Sequence, residues 1–139
     1  MKVLLDTNLI LDYALKREPF SKLADQIFIL IEQKRLEGYV SASTFTDLFY
    51  ILRKSRGKDW TLQFLARLVR LCQIATVDAN TVKTALAEHY KDFEDDIQYY
   101  AASQTRLEGI VTRNPTDFPE KNLRILTPEQ LLQELRENQ

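Results

Sequence analysis

Short apolar runs alternate along the chain with longer stretches in which apolar residues recur at helical spacing. An apolar run without alternation is typical of a strand buried on both faces of a parallel sheet, whereas recurrence at i, i+3, i+4 and i+7 indicates an amphipathic helix. The runs predict five strands, at residues 3–5, 39–43, 72–77, 110–112 and 123–126. Helices are predicted between the first four strands and after the fifth. This order predicts an α/β sandwich with a mostly parallel sheet.

Residues that favour helix ends mark the borders of these helices. Ser21, Ser43 and Asp92 are good N-cap residues, and Thr127 with Gln130 has the spacing of a capping box before the last helix. Glycines at positions 38, 57 and 109 stop the second, third and sixth predicted helices. Because crossovers between parallel strands are right-handed, the carboxyl ends of these strands are expected at one edge of the sheet.

The composition is that of an ordinary globular domain. The chain has 139 residues, 45% of them apolar and 28% charged, which predicts one domain over residues 1–139. A net charge of -1 argues neither for nor against a polyanionic partner, so any nucleic-acid contact must come from a local patch. The single Cys72 excludes an intramolecular disulfide and is predicted to lie in the core. No leader or membrane-spanning run is present, so we expect a cytoplasmic protein without membrane contact.

Acidic residues are predicted to gather at the carboxyl edge of the sheet. Asp6 ends the first strand, and open parallel sheets bind their ligands outside the carboxyl ends of the strands. The other members are Asp47 after the second strand, Asp95 and Asp96 before the fourth, and Asn114 and Asp117 after the fourth. Each of them alone also fits a helix cap or a turn. Their joint placement is what points to a functional site.

Clustered carboxylates call for a cation. Two unit charges about 5 Å apart at an effective dielectric constant near 20 repel by roughly 3 kcal/mol. Oxygen ligands without a Cys or His cluster suit Mg²⁺ or Mn²⁺, and such an ion typically organises phosphate chemistry. No catalytic Ser/His/Asp set, phosphate-binding loop or glycine-rich dinucleotide motif competes with this interpretation.

Three stretches together resemble the PIN-domain ribonucleases, and most closely the bacterial VapC-like toxins. They are Leu4-Leu5-Asp6-Thr7-Asn8, the acidic segment at residues 93–98, and Val111-Thr112-Arg113-Asn114 followed by Asp117-Phe118. The resemblance implies a three-layer α/β/α sandwich and an endoribonuclease dependent on Mg²⁺ or Mn²⁺. It also implies an antitoxin protein partner and a homodimer.

The resemblance also assigns site residues. It places the metal-binding acids on Asp6, Asp95 and Asp117, and leaves open whether Asp95 or Asp96 faces the metal. Asp47 stands where the family usually has Glu, so the expected catalytic acids are Asp6, Asp47, Asp95 and Asp117. Three residues are expected to support them: Asn8 by a hydrogen bond to Asp6, and Thr112 and Asn114 by orienting a water. Arg113 is expected to bind the RNA backbone.

Several further residues have open roles. The basic residues Arg53, Lys54 and Arg56 end the third predicted helix and are candidates for RNA contacts, as Tyr99 and Tyr100 are for base stacking. His89 lies on an apolar stripe and is predicted to be a core or interface residue. Two other functions remain open: a weakened RNA- or partner-binding module, and a small phosphatase with Asp6 as its nucleophile.

Overall fold

The computed structural model describes residues 1–138, and its centre is a parallel sheet of five strands. The strands are β1 (Lys2–Leu5), β2 (Glu37–Ser41), β3 (Gln73–Ala75), β4 (Gly109–Val111) and β5 (Arg124–Leu126). Their order across the sheet is β3-β2-β1-β4-β5, and every neighbouring pair is parallel. The predicted α/β fold with a mostly parallel sheet is confirmed. The carboxyl ends of β1, β2 and β4 therefore meet at one edge.

Seven α-helices connect and cover the strands. They are α1 (Thr7–Leu15), α2 (Ser21–Glu32), α3 (Ala42–Arg56), α4 (Lys58–Leu71), α5 (Ala79–Ala87), α6 (Phe93–Gln104) and α7 (Pro128–Glu137). A short 3₁₀ helix, Pro115–Asp117, follows β4. In residues 1–138, no helix is long and apolar enough to cross a membrane.

Several element borders differ from the predictions, and at two strands a residue near the border takes part in capping a helix. The third strand was predicted over residues 72–77, but the Cys72 N–H closes α4 on the carbonyl of Leu68, and Asp78 caps α5 through the Thr81 N–H. The second strand ends at Ser41, which takes the N-cap position of α3 that was predicted for Ser43. The predicted caps at Asp92 and Thr127 are confirmed.

The sheet buries a hydrophobic core on each face, which makes the fold three-layered. Val3 and Leu5 point into one core with α1, α2, α3, α4 and α7, whereas Leu4 points into the other with α5 and α6. All three side chains are fully buried, as an apolar run without alternation predicts. The acidic edge of the sheet is therefore held rigidly from both sides.

Four single-residue expectations can be compared with this packing. Cys72 is buried as predicted, and its burial raises the pKa of the thiol to about 12. His89 is not a core residue, because α5 ends at Ala87 and the imidazole is 53% exposed, whereas its alternative role as an interface residue stays a prediction. Tyr99 and Tyr100 belong to α6 and are buried in the core on that face of the sheet, so their rings are not available for base stacking.

Candidate active site

Asp6 lies where β1 passes into α1. Its N–H donates to the carbonyl of Val111 and so continues the pairing of β1 with β4. Its own carbonyl accepts from the N–H groups of Leu9 and Ile10, which begins the helix. The residue is only 4% exposed. The backbone thus fixes a buried carboxylate at the carboxyl edge of the sheet.

Two neutral donors hold the Asp6 side chain. Gln98 Nε2 donates to Oδ1 at 3.0 Å, and Thr112 Oγ1 donates to Oδ2 at 2.8 Å. Burial raises the pKa of Asp6, and these two hydrogen bonds oppose that shift. Within residues 1–138, the Asn8 side chain makes no hydrogen bond to Asp6, so the support expected from Asn8 comes from Gln98 instead. Thr112 holds the carboxylate itself, where it was expected to orient a water.

Gln98 links Asp6 to a second carboxylate. Its Nε2 lies 3.4 Å from Asp95 Oδ1, and its Oε1 accepts from the N–H of Thr7 at 3.3 Å. Because the amide is 3% exposed and bonded at both ends, it sets the orientation of both acids. Gln98 stands in the acidic segment of the sequence, but only its contacts reveal the role.

Asp95 has a strongly shifted pKa, about 7. Burial is the largest cause, followed by the negative charge of Asp6 and then by those of Asp92, Asp117 and Glu94. The charge of Asp117 also raises the pKa of Asp6. Asp6, Asp95 and Asp117 therefore lie close enough to repel one another, and we call them the acidic group. They come from the end of β1, the first turn of α6 and the 3₁₀ helix.

Asp47 neighbours other carboxylates at the first turn of α6. Burial raises the pKa of Asp47, and the charge of Asp92 raises it further. The charge of Asp47 is in turn the largest cause of the raised pKa of Glu94, ahead of burial. Asp92 also caps α6 by accepting from the Asp95 N–H at 3.1 Å. Sequence reasoning missed Glu94 and treated Asp92 only as a cap.

The two adjacent aspartates of α6 lie in different surroundings. Asp96 is 3% exposed, and its Oδ1 accepts from the backbone N–H of Tyr90 at 3.1 Å. Its Oδ2 contacts Nδ1 of His89. Both oxygens of Asp96 are thus engaged by the connection between α5 and α6, while Asp95 adjoins Asp6. Asp95 is therefore the candidate metal ligand that we carry forward.

The basic residues are arranged differently from the expectation. Arg113 was expected to bind RNA, but its Nε donates to Oδ2 of the buried Asp12 at 2.9 Å and its guanidinium stacks over Phe20. Asn114 acts through its backbone: its N–H donates to Thr112 Oγ1, and its carbonyl accepts from the Asp117 N–H. The cations at the end of α3 are exposed, namely Arg53, Lys54 and Arg56.

The chemistry of the acidic group fits a hard divalent cation. Its donors are all carboxylate oxygens, and each Asp6 oxygen accepts one hydrogen bond, which leaves a lone pair on each. The pKa of Asp95 shows that the negative charge here is not neutralised by the protein. Among the residues that the structure describes, no group of three or more His, Cys, Asp or Glu side chains is arranged so that it could hold a metal ion without rearrangement. Asp6, Asp95 and Asp117 are the residues that would hold an ion.

Comparison with known proteins identifies the class. A family model described as PIN domain matches residues 2–116. The chain therefore belongs to the PIN-domain family, in agreement with the resemblance of its motifs. No curated protein matches the sequence.

Solved structures of toxin-antitoxin systems have the same fold. The toxin-antitoxin complex from Klebsiella pneumoniae aligns with a TM-score of 0.69 and 23% identity, over 91% of this chain and 97% of the other. DNA-bound VapBC from Salmonella typhimurium gives a TM-score of 0.68 and 21% identity, over 92% and 98%. VapC20 from Mycobacterium tuberculosis, described as a sarcin-ricin loop cleaving toxin, gives 0.63 and 14%, over 78% and 86%. At such identities the likeness is one of fold.

Proposed function

We propose that this protein is an endoribonuclease that depends on Mg²⁺ or Mn²⁺, and that it is the toxin of a toxin-antitoxin pair. The observation that carries the proposal is the acidic group, in which Asp95 is left with a pKa of about 7 by burial and by neighbouring carboxylates. Perturbed carboxylates at the carboxyl edge of a parallel sheet are typical of a catalytic site. Membership of the PIN-domain family supports the same assignment.

In this proposal, Asp6, Asp95 and Asp117 hold the cation. When bound, it supplies Lewis acidity toward the phosphoryl oxygens and makes a water more acidic. Gln98 and Thr112 fix the orientation of the Asp6 carboxylate. The Gln98 amide also donates to Asp95, so it holds the two carboxylates in a fixed relative position. Because Asp95 is partly protonated near pH 7, cation binding at its carboxylate is expected to release a proton.

Similar proteins support the proposed substrate and partner. VapC20 is described as a sarcin-ricin loop cleaving toxin, the Klebsiella structure as a toxin-antitoxin complex, and the Salmonella structure as DNA-bound VapBC. We infer an antitoxin partner and a homodimer for this chain as well. Since Arg113 is paired with Asp12, the exposed Arg53, Lys54 and Arg56 are the better candidates for contacts with RNA phosphates.

The test is cleavage of end-labelled RNA in Mn²⁺ by the wild type, Asp6→Asn and Asp95→Asn. Mutation of a residue that hydrogen-bonds a metal ligand typically lowers activity by about 10- to 100-fold. Loss of a ligand itself is therefore expected to lower the cleavage rate by about 100-fold or more. Asp25→Asn is the matched control, because Asp25 lies on α2, outside the acidic group, and its carboxylate is paired with Lys16. Equal cleavage by the wild type and Asp6→Asn would contradict the proposal.

Two observations favour a second candidate, a module that binds RNA or a protein partner without cutting RNA. The described side chains do not form a complete metal site as they stand. Asn114 also supplies an amide at a position where the sequence comparison with VapC-like toxins leads us to expect Asp. RNA binding by the wild type, measured by fluorescence anisotropy in EDTA, together with no turnover in Mn²⁺ would establish this candidate instead.

A further inference from the structure

A buried ion pair lies beside the acidic group. The Asp12 side chain is 3% exposed, and Arg113 donates to it with Nε at 2.9 Å from Oδ2 and with a terminal nitrogen at 3.5 Å from Oδ1. The guanidinium carbon of Arg113 also lies 4.1 Å from the centre of the Phe20 ring. A buried carboxylate without a partner is strongly unfavourable, so this contact is one that the fold must keep.

Asp12 and Arg113 are each connected through the chain to a residue of the site, Asp12 to Asp6 and Arg113 to Thr112. Asp12 lies six positions after Asp6, on the helix that Asp6 begins, and Arg113 directly follows Thr112. Thr112 donates to Asp6 Oδ2, so Asp6, α1, Asp12, Arg113 and Thr112 form a closed ring of covalent and polar links. Within this ring, α1 acts as a rigid spacer of about 9 Å at 1.5 Å per residue.

The same segment also leads to the third carboxylate. The N–H of Asn114 donates to Thr112 Oγ1 at 3.0 Å, and the Asn114 carbonyl accepts from the N–H of Asp117 at 3.1 Å. A movement of Arg113 would therefore displace Thr112 on one side and the 3₁₀ helix on the other. The pair is placed to control the relative position of Asp6 and Asp117.

We propose that Asp12 and Arg113 are positioning residues: their ion pair holds the segment after β4 against α1 and so fixes Thr112 and the carboxylate of Asp6. This inference rests on the proposed nuclease function, since the kinetic part of its test needs RNA cleavage. It differs from the sequence-based expectation that Arg113 binds the RNA backbone. An RNA contact acts on affinity, whereas a positioning residue acts on the rate of the bound complex.

The experiment compares Arg113→Ala with Arg17→Ala. Arg17 Nη1 lies 3.8 Å from the same Asp12 Oδ1, but Arg17 belongs to the connection after α1 and does not hold the segment after β4. In Mn²⁺, Arg113→Ala is expected to lower kcat by about 10- to 100-fold, because loss of a group that orients a metal ligand has an effect of this size. The KM for RNA is expected to stay within about twofold of the wild-type value. Arg17→Ala is expected to leave kcat near the wild-type value.

A spectroscopic arm tests the mechanism without any turnover. In the metal-free protein, the Thr112 methyl resonance is expected to shift in Arg113→Ala and to stay in place in Arg17→Ala. This arm keeps a failure of the inference distinct from a failure of the proposed function. If the wild type does not cleave RNA, the nuclease assignment fails while the methyl resonance still reports on the position of Thr112.

A third variant separates positioning from simple charge neutralisation. Asp12→Asn/Arg113→Ala removes both charges, so no buried carboxylate loses its main partner and the variant is expected to fold more stably than Arg113→Ala. The rate is nevertheless expected to stay low, because the link to the segment after β4 is still missing. Three results would each overturn the inference: a wild-type kcat in the double variant, an unchanged Thr112 resonance in Arg113→Ala, or a raised KM with unchanged kcat.

Discussion

The shifted pKa of Asp95 predicts that the metal-free protein loses stability as the pH rises. Between pH 3.8 and about 7, the folded protein holds a proton on Asp95 that the unfolded chain has released. The folded state therefore binds more protons than the unfolded state, and the free energy of unfolding falls as the pH increases through this window. Asn carries no charge at any of these pH values, so Asp95→Asn removes this pH dependence.

The structure sets the size of the effect. A shift from 3.8 to about 7 corresponds to about 4 kcal/mol in total, and about 3 kcal/mol of it develops between pH 5 and pH 8. Asp95 is partly exposed, so solvent screening makes these figures the upper end of the expected range. At pH 8 in EDTA, Asp95→Asn is expected to be more stable than the wild type, and the advantage is expected to shrink steadily toward pH 5.

Urea unfolding at pH 5, 6, 7 and 8 in EDTA measures this difference directly. Asp25→Asn serves as the control, because that carboxylate forms a surface ion pair with Lys16 and lies outside the acidic group. Its difference from the wild type is expected to vary little over the same range. A difference between Asp95→Asn and the wild type that is constant from pH 5 to pH 8 would refute the argument, since Asp95 would then be ionised in the folded state throughout.

Three further predictions concern the cation, the bridging amide and the sheet. Mn²⁺ at 100 times its Kd is expected to stabilise the wild type by about 2.7 kcal/mol but not Asp95→Asn, as measured by thermal unfolding. Gln98→Leu removes the amide NH₂ group that donates to both Asp6 and Asp95 and is expected to lower kcat on RNA by about 10- to 100-fold; an unchanged rate would exclude the bridge from catalysis. Gly109→Ala would place a Cβ 2.4 Å from a backbone oxygen of β5 and is expected to destabilise the fold by about 2 kcal/mol in urea. Gly38→Ala is the milder control, since its Cβ would meet side chains rather than backbone, namely the end of Ile31 at 2.7 Å and Cys72 Sγ at 3.2 Å.

The fold was predictable from the sequence because the order of apolar and polar residues along the chain indicates which residues are buried. Val3, Leu4 and Leu5 form a run without alternation, and the structure buries them on both faces of the sheet. The position of Asp6 followed from the same run, since an acid directly after a buried parallel strand must lie at the carboxyl edge. Exact borders were less predictable, because several residues near Ser41 can cap the same helix.

The partners of the acids could not be predicted in the same way. Consecutive residues on a helix point about 100° apart, so the acidic first turn of α6 sends its side chains in different directions. Glu94 neighbours Asp47, Asp95 neighbours Asp6, and Asp96 contacts His89. Only the packing of α6 against β1 and α3 decides which acid meets which partner. The support of Asp6 by Gln98 has the same origin, since the two are 92 positions apart in the sequence.

The positions of the Lys and Arg side chains explain why the acidic group keeps its negative charge. In the part of the chain that the structure describes, no Lys or Arg forms an ion pair with Asp6, Asp95 or Asp117. The cation nearest in sequence to Thr112 is Arg113, and it is paired with Asp12 instead. Neutral donors therefore orient the carboxylates and leave their charge uncompensated. A Lys or Arg in place of Gln98 would neutralise part of this negative charge and so remove the electrostatic reason for the site to bind a divalent cation.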